Sequence, residues 1–341
     1  MSVASWMKAR TVPHMRALVV CALALITACG ASSGNGGDGG SSGGGDDTGG
    51  SGGSGSDGGS GGGGSGMGSG SSTVTDLRFG IVGDTRPPNP GDTAGYPTAI
   101  ITKIYQDIEA ESPKLPFVIS TGDYMFADTA SEVTAQLALY MGARNQYSGT
   151  QYPAMGNHEC TGATASNCGT GNSDGMTANY TQFISTMLAP ISMPTPYYTK
   201  NINAADNSWT AKFVFVACNA WNTAQGTWLT TELAKPTTYT FVVRHEGTNA
   251  VSQTSCSQSQ TIIDANPLTL LIVGHTHTYS HYSSTKEVVV GIGGAPLTSG
   301  TDYGYAVVAR NADGTLTVTA YNYESHAVID TFKIKASGAA G

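Results

Sequence analysis

Basic residues are scarce: 16 Lys and Arg stand against 24 Asp and Glu in 341 residues, a formal net charge of −8. An acidic chain repels polyanions, so a protein that grips a nucleic-acid backbone through basic patches is disfavoured, and no nucleic-acid partner is expected. Short phosphorylated molecules stay open, because a metal site can supply the local positive charge. Long apolar runs are lacking as well. The clearest, residues 17–26, is too short to span a bilayer. Cysteines are few and none has the spacing C-x-x-C, which argues against a zinc cluster. Histidine is also sparse, at seven residues, and its placement is the most informative feature of the sequence.

The start of the chain reads as an export signal. Lys8, Arg10 and Arg16 precede the apolar run at 17–26, and no acidic residue interrupts them. The run ends Ile26-Thr27-Ala28-Cys29, which resembles a bacterial lipobox. That resemblance implies a signal peptide at 1–28, lipidation of Cys29, and a protein held by its N-terminal lipid to the cell envelope, on the periplasmic side or the cell surface. The plain alternative is an ordinary signal cut near Ala28. Loss of the three basic residues would take the formal charge from −8 to −11.

Residues 30–72 are almost wholly Gly and Ser, with Asp38, Asp46, Asp47 and Asp57 scattered among them. Such a segment has no apolar surface to offset its ordering entropy and reads, with Cys29, as a disordered tether over 29–72. A flexible chain of that length has an r.m.s. span of roughly 35 Å. Four cysteines lie beyond it: Cys160, Cys168, Cys218 and Cys256. In an exported protein these favour disulfides, and three pairings are open. Cys160 with Cys168 is the local choice, leaving Cys218 with Cys256.

The folded segment is expected over 73–336, with a disordered tail at 337–341. Apolar runs at 77–82 and 116–120, and a shorter one before Met155, alternate with helical periodicity near 98–111 and 131–146. Strand, helix, strand, helix implies parallel pairing in a layered α/β sheet. Further strands are read at 213–217, 239–244 and 268–273, with a short helix around Trp228. Then come closely spaced strands at 288–290, 305–309, 316–321 and 328–334, with a hairpin turn at Asn311-Ala312-Asp313-Gly314. The fold class is α/β, two facing mixed β-sheets flanked by helices.

Ligands of open α/β sheets gather beyond the carboxyl ends of the strands, and there the sequence places Asp84, Asp123, Asn157, His158, His245, His275 and His277. Six histidines lie beyond residue 72, and four of them belong to this set. Singly, an aspartate after glycine at a strand end is a turn or cap residue, and a lone histidine such as His281 or His326 is structural. Jointly the pattern reverses those readings. Gly83-Asp84-Thr85-Arg86, Gly122-Asp123, Gly156-Asn157-His158-Glu159, His245 and Gly274-His275-Thr276-His277 resemble the ordered signature of the calcineurin-like metallophosphoesterase superfamily. The likeness runs from about residue 77 to 335. It implies a four-layer α-β-β-α sandwich around two divalent or trivalent metal ions, Fe, Zn or Mn. Asp123 would bridge them, Asn157, His245 and His275 would complete one site, and Asp84 and His277 would belong to the other. His158 would steady the phosphoryl group or protonate the leaving oxygen. Mixed carboxylate and imidazole donors suit such metals, and glycines before Asp84, Asp123 and Asn157 are expected to make the tight turns.

Two departures matter. Arg86 stands where the family usually has a histidine ligand, and a guanidinium has no lone pair to give. The first metal could keep fewer protein ligands plus water, it could be absent, or Arg86 could bind the substrate phosphate as a bidentate donor. The runs 122–126 and 275–279 are similar to the purple acid phosphatase branch, which has a tyrosine ligand three residues after the bridging aspartate. Phe126 occupies that position and cannot ligate, so no tyrosinate–iron colour is expected. Gly171-Asn172-Ser173-Asp174-Gly175 matches the serine-hydrolase elbow G-x-S-x-G, but it lies in a polar stretch without the strand and helix that motif needs.

The expected function is hydrolysis of phosphoesters by a metal-activated hydroxide outside the cytoplasmic membrane. The alternative from another class is a surface binding module that kept the fold after its chemistry weakened, with Arg86 as its support.

Overall fold

The computed structural model describes residues 69–161, 166–251 and 257–341, with 69, 70 and 161 described by their backbone alone. The expected signal, Cys29 and most of the tether lie outside the described residues, as does Cys256. Thirteen strands are described: β1 Ser69–Val74, β2 Arg78–Val82, β3 Phe117–Ser120, β4 Thr150–Pro153, β5 Tyr198–Ala204, β6 Thr210–Val216, β7 Tyr239–Arg244, β8 Leu270–Val273, β9 Tyr279–Tyr282, β10 Glu287–Val290, β11 Gly304–Arg310, β12 Leu316–Asn322 and β13 Val328–Ile334. They form a seven-stranded sheet in the order β1-β5-β6-β7-β8-β10-β9 and a six-stranded sheet in the order β13-β12-β11-β2-β3-β4. Both are mixed. The strands that feed the site, β2, β3 and β4 in one and β6, β7 and β8 in the other, run parallel to one another. All described residues fall within one compact unit, Gly63–Gly341.

The two sheets face each other across an aromatic core. Phe79 stacks on Phe117 at 5.4 Å within its own sheet and meets Phe213 and Phe241 of the other edge-on at 5.0 and 5.4 Å. Such pairs add about 0.5–1.5 kcal/mol each beyond the area they bury. Alternation along β2 explains the opposite face. Phe79 and Ile81 point to the core, and Gly80 leaves room for Ile108 of helix α1, Thr98–Ala110. Helix α2, Ala130–Arg144, joins α1 through the Tyr105–Tyr140 hydroxyl contact at 2.9 Å. A capping box of Thr129 and Glu132 starts α2. On the far face of the larger sheet, α3, Thr223–Leu233, accepts Lys212 Nζ at the Glu232 carbonyl, 2.6 Å. Arg244 reaches Ser259 and Gln260 of α4, Ser257–Asp264. The outcome is helix, sheet, sheet, helix.

Three expectations need correcting. Strand β1 begins at Ser69, inside the segment read as tether: it pairs in parallel with β5 from Ser69↔Thr199 to Val74↔Ala204. A ladder uses backbone groups, so Gly and Ser can enter it without apolar side chains. The tail at 337–341 is also ordered. Lys335 N donates to Ala339 O at 2.8 Å, Gly338 turns with φ +78°, and Lys286 Nζ donates to Ser337 O at 2.8 Å. Finally β5 and β9 had no counterpart in the apolar pattern, because polar residues at Thr199, Lys200, Asn201, Ser280 and His281 break it. The hairpin turn holds: β11 and β12 pair antiparallel around Gly314 at φ +83°.

Among the described residues no helix is long and apolar enough to cross a membrane. Cys160 and Cys168 form a disulfide, and Cys218 is also disulfide-bonded.

Candidate metal centre

The carboxyl ends of five strands, three from one sheet and two from the other, open onto one bowl. β2 delivers Asp84, β3 delivers Asp123, β4 leads to Asn157 and His158, β7 to His245, and β8 to His275 and His277. Cross-loop hydrogen bonds hold the ends in register: Asp84 N donates to Gly122 O at 3.0 Å, Thr85 N to Asp123 O at 2.9 Å, and Gly274 N to His245 O at 2.9 Å. Asp84, Asp123, His245 and His277 are buried in its floor, and Asn157, His158, His275 and Arg86 are half-buried at its rim.

The backbone is strained where the donors sit. Asp84, Asp123, His275 and His277 have φ of +57°, +59°, +71° and +46°, half of the eight non-glycine residues with positive φ among those described. Such conformations cost on the order of 1–3 kcal/mol each and collect at functional sites. This corrects the role expected of the glycines, since the left-handed turn falls on the aspartates themselves. Gly122 does need its freedom, at φ +108°. Gly156 instead provides space, because a Cβ there would meet the Asp123 carboxylate and backbone nitrogen.

Four donor atoms converge on one point. Asn157 Oδ1 lies 3.1 Å from both His245 Nε2 and His275 Nδ1, these two nitrogens are 3.2 Å apart, and Asp123 Oδ1 is 3.3 Å from His245 Nε2. Donors bound at about 2.0–2.2 Å around a single ion would be separated by about 3.0–3.5 Å, so the spacing fits one metal. His245 Nδ1 donates to Thr121 O at 2.8 Å, which fixes the ring with its Nε2 turned toward that point. A second group, Asp84, Asp123 and His277, places its ligand atoms within 4.8 Å of one another. His277 is oriented the same way, Nδ1 donating to Pro296 O at 2.8 Å while Nε2 stands 3.5 Å from Asp84 Oδ1.

The electrostatics ask for cations. Burial pushes Asp84 up to about 7, against the pull of His245 and with Asp123 adding to the rise. Burial opposes charge on His245 too, yet Asp123 holds it well above the ordinary histidine range. Asp123 itself, despite burial, is held well below the carboxylate range by His245, His158 and Arg86. Burial, reinforced by His245, sends His275 down to about 4, and burial followed by Arg86 lowers His277, so both imidazoles keep a lone pair free near neutrality.

Sequence reasoning missed what Glu159 does. Buried, it accepts from the backbone N–H groups of Asp123 and Tyr124 at 2.7 Å each, Gly156 at 2.8 Å and Met125 at 3.3 Å. It thus ties the loop after β3 to the loop after β4. The acidic residue after Asn157-His158 was the only signal available for it. Phe126, absent from the ligand set as expected, is a platform: the His158 ring packs on it at 4.3 Å and the Arg86 guanidinium lies 4.6 Å from its centroid. His281 stacks on Phe332 at 3.5 Å and His326 on Tyr321 at 4.8 Å. Ser173 is exposed in a loop beside Asp174, and no strand leads into it.

Residues 77–279, more than half of the chain and all of the bowl's donors, match the family model for calcineurin-like phosphoesterases. The chain belongs to that family. No curated protein matches the sequence. Among solved structures the fold is similar to GAP50, described as the anchor in the inner membrane complex of Plasmodium, with TM-score 0.55 and 14% identity over 77% of this chain and 89% of that one. It is also similar to the purple acid phosphatase PPD1 from yellow lupin (Lupinus luteus) seeds, with TM-score 0.52 and 17% identity over 76% of this chain and 54% of that one. At these identities the two likenesses concern the fold. The family is one of phosphoesterases, whose members bind a dinuclear metal centre, and the Asp84, Asp123 and His277 group is a candidate for part of one here.

Proposed function

We propose that the protein is a metal-dependent phosphoester hydrolase that works outside the cytoplasmic membrane. The observation that carries the reading is the convergence of Asp123 Oδ1, Asn157 Oδ1, His245 Nε2 and His275 Nδ1 at 3.1–3.3 Å, beside the Asp84, Asp123 and His277 group. Metal ions held there would supply positive charge for the phosphoryl oxygens and would lower the pKa of a water from about 15.7 toward roughly 7. The chain's own residues do the rest. Asp123 is common to both groups and sets their separation. His158, with its ring on Phe126, its N–H on Asp123 Oδ1 at 3.2 Å and its carbonyl taken by Asn179 Nδ2 at 3.0 Å, stands at the rim with Nε2 3.8 Å from Asp123 Oδ2. From there it can steady the phosphoryl group and pass a proton to the leaving oxygen. Arg86, also at the rim, offers N–H donors to the same phosphoryl oxygens.

The test is turnover of an aryl phosphate and its diester by residues 63–341, the compact unit, with each of Fe, Zn and Mn supplied alone. Chelation should abolish turnover. His158→Ala should lower kcat by about 10²–10⁴-fold, the usual worth of a positioned acid, with bound metal unchanged. Loss of metal in that variant would instead make His158 a ligand.

The export reading rests on Lys8, Arg10, Arg16, the apolar run at 17–26 and the lipobox-like Ile26-Thr27-Ala28-Cys29. The Cys160–Cys168 disulfide supports an oxidising compartment. Cys29→Ser is expected to abolish incorporation of labelled fatty acid and to move the protein from the membrane fraction to the soluble one; unchanged labelling would refute lipidation at Cys29.

A second reading, a binding module on the same fold, draws on Arg86 in place of a ligand and on the likeness to a protein described as an anchor. Folded protein that binds metal and turns over neither ester class would favour it.

A further inference from the structure

The two metal positions are built unequally, and Arg86 is at the centre of the difference. Asp123 divides its oxygens. Oδ1 faces His245 Nε2 at 3.3 Å and accepts from His158 N at 3.2 Å, whereas Oδ2 faces Arg86 Nε at 3.5 Å and His158 Nε2 at 3.8 Å. Arg86 Nε is buried and makes no hydrogen bond. The side chain is nevertheless pinned: its guanidinium lies over Phe126 at 4.6 Å, Nη1 donates to Pro87 O at 3.0 Å, and the chain continues as Pro87-Pro88, whose rings limit backbone adjustment. A fixed positive charge therefore stands against the oxygen that Asp123 would lend to the Asp84 and His277 side.

The donor geometry points the same way by a separate route. On the Asn157 side four donors already sit at 3.1–3.3 Å from a neighbour, the spacing of a formed coordination shell. On the Asp84 side there are three, all within 4.8 Å of one another, with Asp84 Oδ1 and His277 Nε2 at 3.5 Å. One position has four ligands and faces the Asp123 oxygen that Arg86 leaves free. The other has three, beside a guanidinium that has no lone pair to offer.

We propose that Arg86 makes this a centre of one tight and one loose ion: Asp123, Asn157, His245 and His275 retain theirs, while Asp84, Asp123 and His277 exchange theirs freely with solvent. The inference rests on the site being a phosphoesterase metal centre, but it concerns occupancy and not turnover.

Metal counting by elemental analysis after extensive desalting, together with calorimetric titration of the metal-free protein with Mn²⁺, tests it without reference to activity. The unaltered protein should retain one ion per chain, and its two binding steps should differ on the order of 100-fold or more in Kd, the upper range for a perturbed ligand environment. Arg86→His, which supplies the missing imidazole and removes the charge, should retain two. Arg86→Gln removes the charge without adding an imidazole, so its second step should tighten by about tenfold and still fall short of the histidine variant. Circular dichroism confirms that each variant is folded, and the glutamine variant stands alone as a test if the histidine one is not. Two retained ions in the unaltered protein would overturn the proposal, as would none, or a second step that neither variant moves. Retention of one ion with no turnover of either ester would sink the hydrolase reading while leaving the inequality in place.

Discussion

Replacing Asp123 with alanine is expected to empty the centre of metal and to bring turnover to the assay floor, on the order of 10⁴-fold or more below the unaltered protein, because the lowering of a water's pKa is lost with the ions. No other side chain is shared by the two groups. Oδ1 lies 3.3 Å from His245 Nε2, and the same carboxylate belongs to the Asp84 and His277 group. It also accepts the His158 backbone N–H at 3.2 Å, so its removal unmoors the residue placed to protonate the leaving group. Asp123→Asn keeps the shape and removes the charge. It should retain His158 in place yet bind metal far more weakly, which separates the structural part of the loss from the electrostatic part. Elemental analysis and aryl phosphate turnover on the same samples decide the matter. Alanine protein with its full complement of metal would show that Asp123 is not a shared ligand.

The second large effect is on stability. Glu159→Ala removes the acceptor for four backbone N–H groups, those of Asp123, Tyr124, Met125 and Gly156. An orphaned buried donor costs about 1–3 kcal/mol, so a loss of at least about 4 kcal/mol is expected, a large fraction of the roughly 5–15 kcal/mol that holds a typical domain together. For a domain of this size that corresponds to a fall in Tm of about 10 °C or more. Asp123 is itself in a strained left-handed conformation, φ +59°, and Glu159 is part of what holds it there. Metal affinity should fall with stability. Glu159→Gln keeps one carbonyl oxygen and should lie between, since its amide N–H₂ turns toward groups that are already donors. A thermal melt of the alanine variant that coincides with that of the unaltered protein would remove Glu159 from this role.

Much of the site was legible in the order of residues along the chain. Asp84, Asp123, Asn157, His158, His245, His275 and His277 each come after an apolar run, and parallel strands deliver the residues beyond their carboxyl ends to the same edge of the sheet. Strand position and metal-capable chemistry therefore coincide in one dimension, which is why the gathering of these residues at one edge and the two facing sheets were legible in the sequence. The departure at Arg86 was equally visible, as was the inability of Phe126 to ligate.

Tertiary structure alone decided the rest. Strands β5 and β9 carry no periodic apolar signal, and β1 is made of residues whose composition reads as tether; each forms because a neighbouring strand offers backbone partners, a property that side-chain pattern does not encode. The tail at 337–341 folds back for the same reason. Glu159 was visible as a residue but not as a clamp, because its four donors come from two loops that only the β3 and β4 pairing brings together. The direction of Arg86 belongs here too. Residue type established that it cannot ligate, but whether its charge faces the substrate, the solvent or the shared carboxylate depends on Phe126 and Pro87 pinning it 3.5 Å from Asp123 Oδ2. Local chemistry is written in the identity of each residue, while the charges and donors it meets are set by distances through space that the order of the chain does not contain.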